Sequence, residues 1–94
     1  MTEAANKPCG LVVAGPAARA INDELPEAVA RAVIELITGA LLENPRRLGH
    51  ELRNELAGIW SARRGDFRVS YRIDEEAHEV QVLSVDHRRD VSRT

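Results

Sequence analysis

The stretch SARRGDFRVSYRI, from Ser61 to Ile73, predicts two adjacent strands and the turn between them. Apolar and polar residues alternate from position 67 onward, which is the period of a strand with one buried face. The apolar set is Phe67, Val69, Tyr71 and Ile73, and the polar set is Arg68, Ser70 and Arg72. We expect RRGD over 63–66 to form the turn and residues 59–63 to form the partner strand. The arginines should therefore lie on the side opposite the core.

The flanking sequence supplies the other elements of the fold. CGLVVA over 9–14 is a short apolar strand candidate, and VQVLSV over 80–85 is another, with apolar residues on both faces as in a central strand. Between them, apolar residues recur at helical spacing from Pro16 and again from Pro26, and the second helix should stop at ENP over 43–45. The basic stretch 46–57 is expected to be a loop that could include a helical turn.

These elements predict an α+β fold. It consists of an N-terminal strand, a two-helix hairpin and a mostly antiparallel three-stranded meander, with the helices packed on one sheet face. We expect residues 1–8 to be a flexible tail and residues 9–94 to be a single domain, because 94 residues suffice for one modest core.

Composition excludes several classes of function. The net charge of -2 gives no general attraction to nucleic acid, although twelve of the thirteen basic residues are arginine. The single cysteine, Cys9, excludes an internal disulfide and a cysteine-based metal site, and it suits a reducing cytoplasm. No apolar run approaches the roughly 18 residues of a membrane span. No metal-ligand spacing, phosphate-binding loop or glycine-rich dinucleotide turn occurs, so we expect no metal and no cofactor.

The open side of the meander is the candidate site. Ser61 and Arg63 should share a side with Arg68, and Arg88 and Arg89 follow the last strand directly. If that strand pairs with the middle one, Arg68 and Arg88 can approach one spot, where phosphate would be the natural partner of converging guanidinium groups. The alternative is a solvated sheet face whose arginines pair with the neighbouring carboxylates Glu51, Glu55, Asp66, Asp74 and Glu79.

The histidines allow a proton-transfer role at that site. His50 and His78 are expected in loops, exposed to solvent. His87 lies between Asp86 and Arg88 and could move protons beside a phosphate, although a surface histidine would give the same sequence.

The segments RRLGHELRNELAGIWSARRGDFRVSYRID, over 46–74, and VQVLSVDHRRDV, over 80–91, resemble the RelE branch of the RelE/ParE superfamily of bacterial toxins. The shared features are Leu48-Gly49, Leu52-Arg53, Gly58-Ile59-Trp60, Arg63, Gly65-Asp66-Phe67-Arg68, Tyr71, Asp74 and the run from Val85 to Val91. The chain departs from the family pattern at Ser61, where many members have a basic residue, and at Ser92, where they have a tyrosine.

The resemblance implies a cytoplasmic toxin that cleaves mRNA on the ribosome without a metal, by attack of a 2′-hydroxyl on the neighbouring phosphate. It implies that Arg68 and Arg88 contact the scissile phosphate. The secondary catalytic candidates are Arg63, His87 and Ser61, and the candidates for holding RNA backbone are Arg46, Arg47, Arg53, Arg64 and Arg89. The implied partners are mRNA, the ribosome and an acidic RelB-like antitoxin, with no membrane. A ParE-like gyrase poison, or a degenerate toxin that only binds its antitoxin, would also fit the resemblance.

Overall fold

The structure is a computed structural model that describes residues 9–87. The predicted tail over 1–8 and the candidate arginines Arg88 and Arg89 lie outside these residues. The strands are β1 (Gly10–Val13), β2 (His50–Glu51), β3 (Trp60–Arg64), β4 (Phe67–Asp74) and β5 (Glu79–His87). The helices are α1 (Gly15–Arg19), which continues as a π-helical turn (Ala20–Glu24), α2 (Glu27–Thr38), α3 (Ala40–Glu43) and α4 (Pro45–Leu48), and a 3₁₀ turn spans Asn54–Leu56.

The five strands form one sheet in the order β1-β5-β4-β3-β2. β1 runs parallel to β5, and the other neighbours are antiparallel. The predicted α+β architecture, with an N-terminal strand, helices and a meander, is confirmed. The additional strand, β2, lies in the stretch 46–57 that the sequence predicts to be loop, because two residues are too few to show a strand period.

The alternation in β4 decides which face of the sheet is buried. Its apolar residues enter the core together with Val80, Val82 and Val85 of β5. Val33, Leu36 and Ile37 of α2 and Leu41 of α3 belong to the same core, so the helices cover one face of the sheet. Arg68 and Arg72 are exposed, as the period of two requires.

A β-bulge in β5 explains why its apolar residues appeared to fall on both faces. Tyr71 of β4 is the partner of Val82, whereas the preceding Ser70 is the partner of Ser84, so β5 has one extra residue between them. Such an insertion reverses the alternation beyond it. Val80, Val82 and Val85 consequently all enter the core. Asp86 lies on the open face and His87 on the core side, the reverse of their sides in an unbroken strand.

The boundaries of two elements differ from the prediction. The β3–β4 turn consists of Gly65 and Asp66 alone, since Arg64 pairs with Phe67, and Gly65 takes the positive φ of 57° that favours glycine. The long second helix breaks at Gly39, whose φ of -116° and ψ of -97° lie outside the helical region, before it ends at Glu43 as predicted. Within residues 9–87, no helix has the length and apolar character needed to cross a bilayer.

Candidate nucleic-acid interface on the sheet

The sheet face opposite the helices gathers residues from four strands, and we call it the arginine face. The strand register places Arg63 beside Arg68, and Arg68 beside Asp86. Two residues further from the β3–β4 turn, the next row across the sheet consists of His50, Ser61, Ser70 and Ser84, each paired with the next. The arginine face therefore consists of His50, Ser61, Arg63, Arg68, Ser70, Arg72, Ser84 and Asp86. The register confirms that Ser61, Arg63 and Arg68 share one side.

The arginines of this face form no ion pair among the described residues. Among residues 9–87, the ion pairs are Arg31–Glu27 and Arg46–Glu75. Two of the carboxylates proposed to pair with the arginines hold loops instead: Glu51 Oε2 accepts from the Gly58 amide at 3.0 Å, and Asp74 Oδ1 from the Ala77 amide at 3.1 Å. The described residues therefore leave the guanidinium groups of Arg63 and Arg68 available to an external anion.

Charge is distributed unevenly along the arginine face. Arg63 and Arg68 lie next to the β3–β4 turn, with Asp86 as the carboxylate beside Arg68. At the far end of β4 the same alternation brings Asp74 opposite Glu79. The positive end is thus the one at the β3–β4 turn, and an anionic chain would be held there.

The residues predicted to hold RNA backbone do not gather on this face. Arg46 pairs with Glu75, which follows the far end of β4, roughly 20 Å along the strand from Arg68. Arg64 is exposed, but it lies on the same side of β3 as Ala62, which is buried against the helices. Arg47 in α4 and Arg53 before the 3₁₀ turn are exposed, and Arg89 lies outside the described residues.

The structure separates the three histidines. His87 is the partner of Phe67 and is only 7% exposed, so it lies on the helix side of the sheet, away from Arg68. His78 is exposed in the β4–β5 turn with a φ of 57°. His50 is exposed, as predicted, but it belongs to strand β2 and lies on the arginine face. No sequence signal indicated this, because β2 shows no period.

A buried tyrosine holds β2 against the sheet. Tyr71 Oη donates a hydrogen bond of 2.6 Å to the Pro45 carbonyl. Burial raises the pKa of Tyr71 to about 12, although the Gly49 amide, which bonds the same oxygen, acts in the opposite direction. A Cβ at Gly49 would lie 2.5 Å from both Tyr71 Oη and the Ser61 carbonyl oxygen, so this close approach requires glycine. Trp60 stacks on Tyr71 with ring centroids 6.4 Å apart.

Comparison with known proteins identifies the family of the chain. The family described as "ParE toxin of type II toxin-antitoxin system, parDE" matches residues 14–91. The chain is 46% identical to Toxin RelE of Mycobacterium tuberculosis (strain ATCC 25618 / H37Rv) over 81 residues, 86% of this chain and 82% of that protein. It is 50% identical to Toxin RelG of the same strain over 70 residues, 74% of this chain and 80% of that protein.

A solved structure shows the same fold. The toxin–antitoxin complex RelBE2 from Mycobacterium tuberculosis contains a chain that superposes with a TM-score of 0.84 at 44% identity, covering 87% of this chain and all of that one. Family, relatives and structure agree with the motifs at 46–74 and 80–91. The chain belongs to the RelE/ParE superfamily of toxins of type II toxin–antitoxin systems, on its RelE branch.

Proposed function

We propose that the chain is a ribosome-dependent mRNA endonuclease that inhibits translation and is neutralised by a cognate RelB-like antitoxin. The observation that carries this proposal is the pair Arg63 and Arg68, which are adjacent across β3 and β4 and form no ion pair within residues 9–87. Two guanidinium groups in this position suit the scissile phosphate of a message, because each can donate two parallel hydrogen bonds to its oxygens.

Arg88 is the second principal candidate. It follows His87 directly in the sequence, and the resemblance to the RelE branch assigns it to the scissile phosphate. Ser61 remains a secondary candidate, whereas His87 is buried on the helix side of the sheet and cannot reach a phosphate held on the arginine face.

The reaction requires little of the protein beyond position and charge. The 2′-hydroxyl of the message attacks the adjacent phosphorus, the bond to the 5′-oxygen breaks, and a cyclic phosphate and a 5′-hydroxyl result. Arg68 and Arg88 would neutralise the charge that grows on the phosphate oxygens, and Arg63 would orient the chain. Arginine keeps its proton at neutral pH, so these residues are assigned stabilisation of charge and no proton transfer.

The antitoxin should compete with mRNA for the arginines of the arginine face. The related RelBE2 structure is a toxin–antitoxin complex. For this chain we propose that an acidic segment of the antitoxin covers the arginine face and the helices and orders on binding.

A gyrase poison is the second candidate function, because the matching family is described by its ParE members. Mapping mRNA 5′ ends after induced expression separates the two. Codon-phased cuts within translated frames support the endonuclease, whereas blocked replication with intact messages supports the gyrase poison. Absence of any growth effect would support a protein that only binds its antitoxin.

Variants of the two arginines test the site itself. Arg68→Ala and Arg88→Ala should each reduce cleavage about 100- to 1000-fold and relieve toxicity, since each removes a donor to the developing phosphate charge. Binding of the antitoxin should largely persist, because each variant removes one arginine and leaves the proposed contacts with the helices unchanged. Arg31→Ala is the matched control, because Arg31 is an exposed arginine of α2 in the helix layer. Full toxicity of Arg88→Ala would show that the site assignment is wrong.

A further inference from the structure

His50 is the one histidine that the described structure places on the arginine face. It is opposite Ser61 of β3, in the row next to Arg63 and Arg68. From strand spacing and rise, its Cα lies about 8 Å from that of Arg63 and about 12 Å from that of Arg68. A ribose with its 3′-phosphate can bridge separations of this size between an imidazole and long arginine side chains.

The position of His50 is fixed from both sides. The strand-pair register ties β2 to β3, and the Leu52 amide donates to the Ile59 carbonyl at 2.8 Å just beyond it. Before it, Gly49 packs so closely on Tyr71 and the Ser61 backbone that no Cβ fits. An exposed side chain on so constrained a backbone can be held in a productive geometry, which loop histidines rarely achieve.

Ser61 is the residue directly opposite His50, and it lies in β3 two residues before Arg63 on the same face. The charged groups around His50 come from each neighbouring strand. They are Arg63 of β3, Arg68 of β4, Asp86 of β5, and Glu51 and Arg53 from β2 and the residues after it.

We infer that His50 is the general base of this toxin, taking the proton of the attacking 2′-hydroxyl while the arginines hold the phosphate. The inference rests on the proposed endonuclease function and names a group for the proton that the arginines cannot accept. Imidazole suits the task because it exchanges protons near neutral pH.

The step balances without a metal or a co-reactant other than water. The O2′–P bond forms as the 2′-hydroxyl proton moves to the imidazole, and the P–O5′ bond breaks. A water molecule protonates the departing 5′-oxygen, and the hydroxide that remains takes the proton back from the imidazolium. The products are a 2′,3′-cyclic phosphate and a 5′-hydroxyl, with His50 restored.

Single-turnover cleavage of mRNA on programmed ribosomes tests the assignment. His50→Asn should reduce the rate of the chemical step about 100- to 10,000-fold while binding to ribosomes stays within about twofold. The acidic limb of the pH–rate profile should disappear, and added imidazole should restore part of the rate. His78→Asn is the matched control, because it removes an exposed histidine at a left-handed position that asparagine tolerates. It should retain the wild-type rate.

Each outcome decides between the two proposals. His50→Asn and His50→Gln variants that fold and cut at the wild-type rate would overturn the assignment of His50 and leave the endonuclease intact. A slow variant that keeps the wild-type pH profile and does not respond to imidazole would also overturn it. A wild-type protein that leaves messages uncut would overturn the endonuclease function, and this inference with it.

Discussion

At the scale of single residues, Tyr71 has the most clearly defined role. It is the only tyrosine of the chain, it is fully buried, and its hydroxyl joins the Pro45 carbonyl to the sheet. Tyr71→Phe keeps the ring but leaves that carbonyl and the Gly49 amide without their partner. We expect a loss of about 1–3 kcal/mol in the free energy of unfolding, measured by urea denaturation with an unchanged m-value.

The same residue predicts a loss of stability in alkali. Unfolded tyrosine ionises near pH 10, whereas the folded pKa is about 12, so the stabilisation is complete below pH 10 and is lost as pH rises toward 12. The difference in stability between wild type and Tyr71→Phe should shrink over that interval. Ultraviolet absorbance follows the ionisation directly, because no other tyrosine contributes. Ionisation near pH 10 in the folded protein would contradict this account.

At the scale of elements, the two-residue strand β2 depends on close packing at Gly49. Gly49 has a φ of -120° and a ψ of -162°, which any residue can adopt. An added methyl group is therefore excluded only by the atoms that surround Gly49. Gly49→Ala should destabilise the fold by about 1–3 kcal/mol and displace His50, and cleavage should fall further than stability alone explains. Gly15→Ala is the control, since the nearest atom to its Cβ would be 4.0 Å away. Equal behaviour of the two variants would show that β2 is not held by this contact.

At the scale of the whole molecule, location of charge should matter more than its sum. The net charge is -2, yet the end of the arginine face at the β3–β4 turn is positive. The affinity for programmed ribosomes should be measured at several salt concentrations. In the double variant Arg63→Ala/Arg68→Ala, the slope of log affinity against log salt concentration should become less steep by about 1 for each guanidinium removed. Arg19→Ala/Arg31→Ala lowers the net charge equally in the helix layer and should leave the slope unchanged. Identical slopes for both double variants would point to net charge alone.

The sequence alone determined the parts of this protein that depend on local pattern. Alternation over 67–73 assigned Phe67 and Tyr71 to the core and Arg68 to the open face, because the strand period is two. Proline at 45 and the apolar spacing before it set the end of the second helix, since the residue before proline avoids helical geometry. The motifs at 46–74 and 80–91 identified the superfamily.

Only the tertiary structure decided which histidine meets the arginines. A single extra residue in β5 reverses the alternation after Val82, so that Asp86 lies beside Arg68 and His87 is buried with Phe67. Strand β2 exists because β3 and Tyr71 hold it, and that pairing brings His50 to the arginine face. Both outcomes depend on partners distant in sequence, and a two-residue strand or a one-residue bulge leaves no periodic signal of its own.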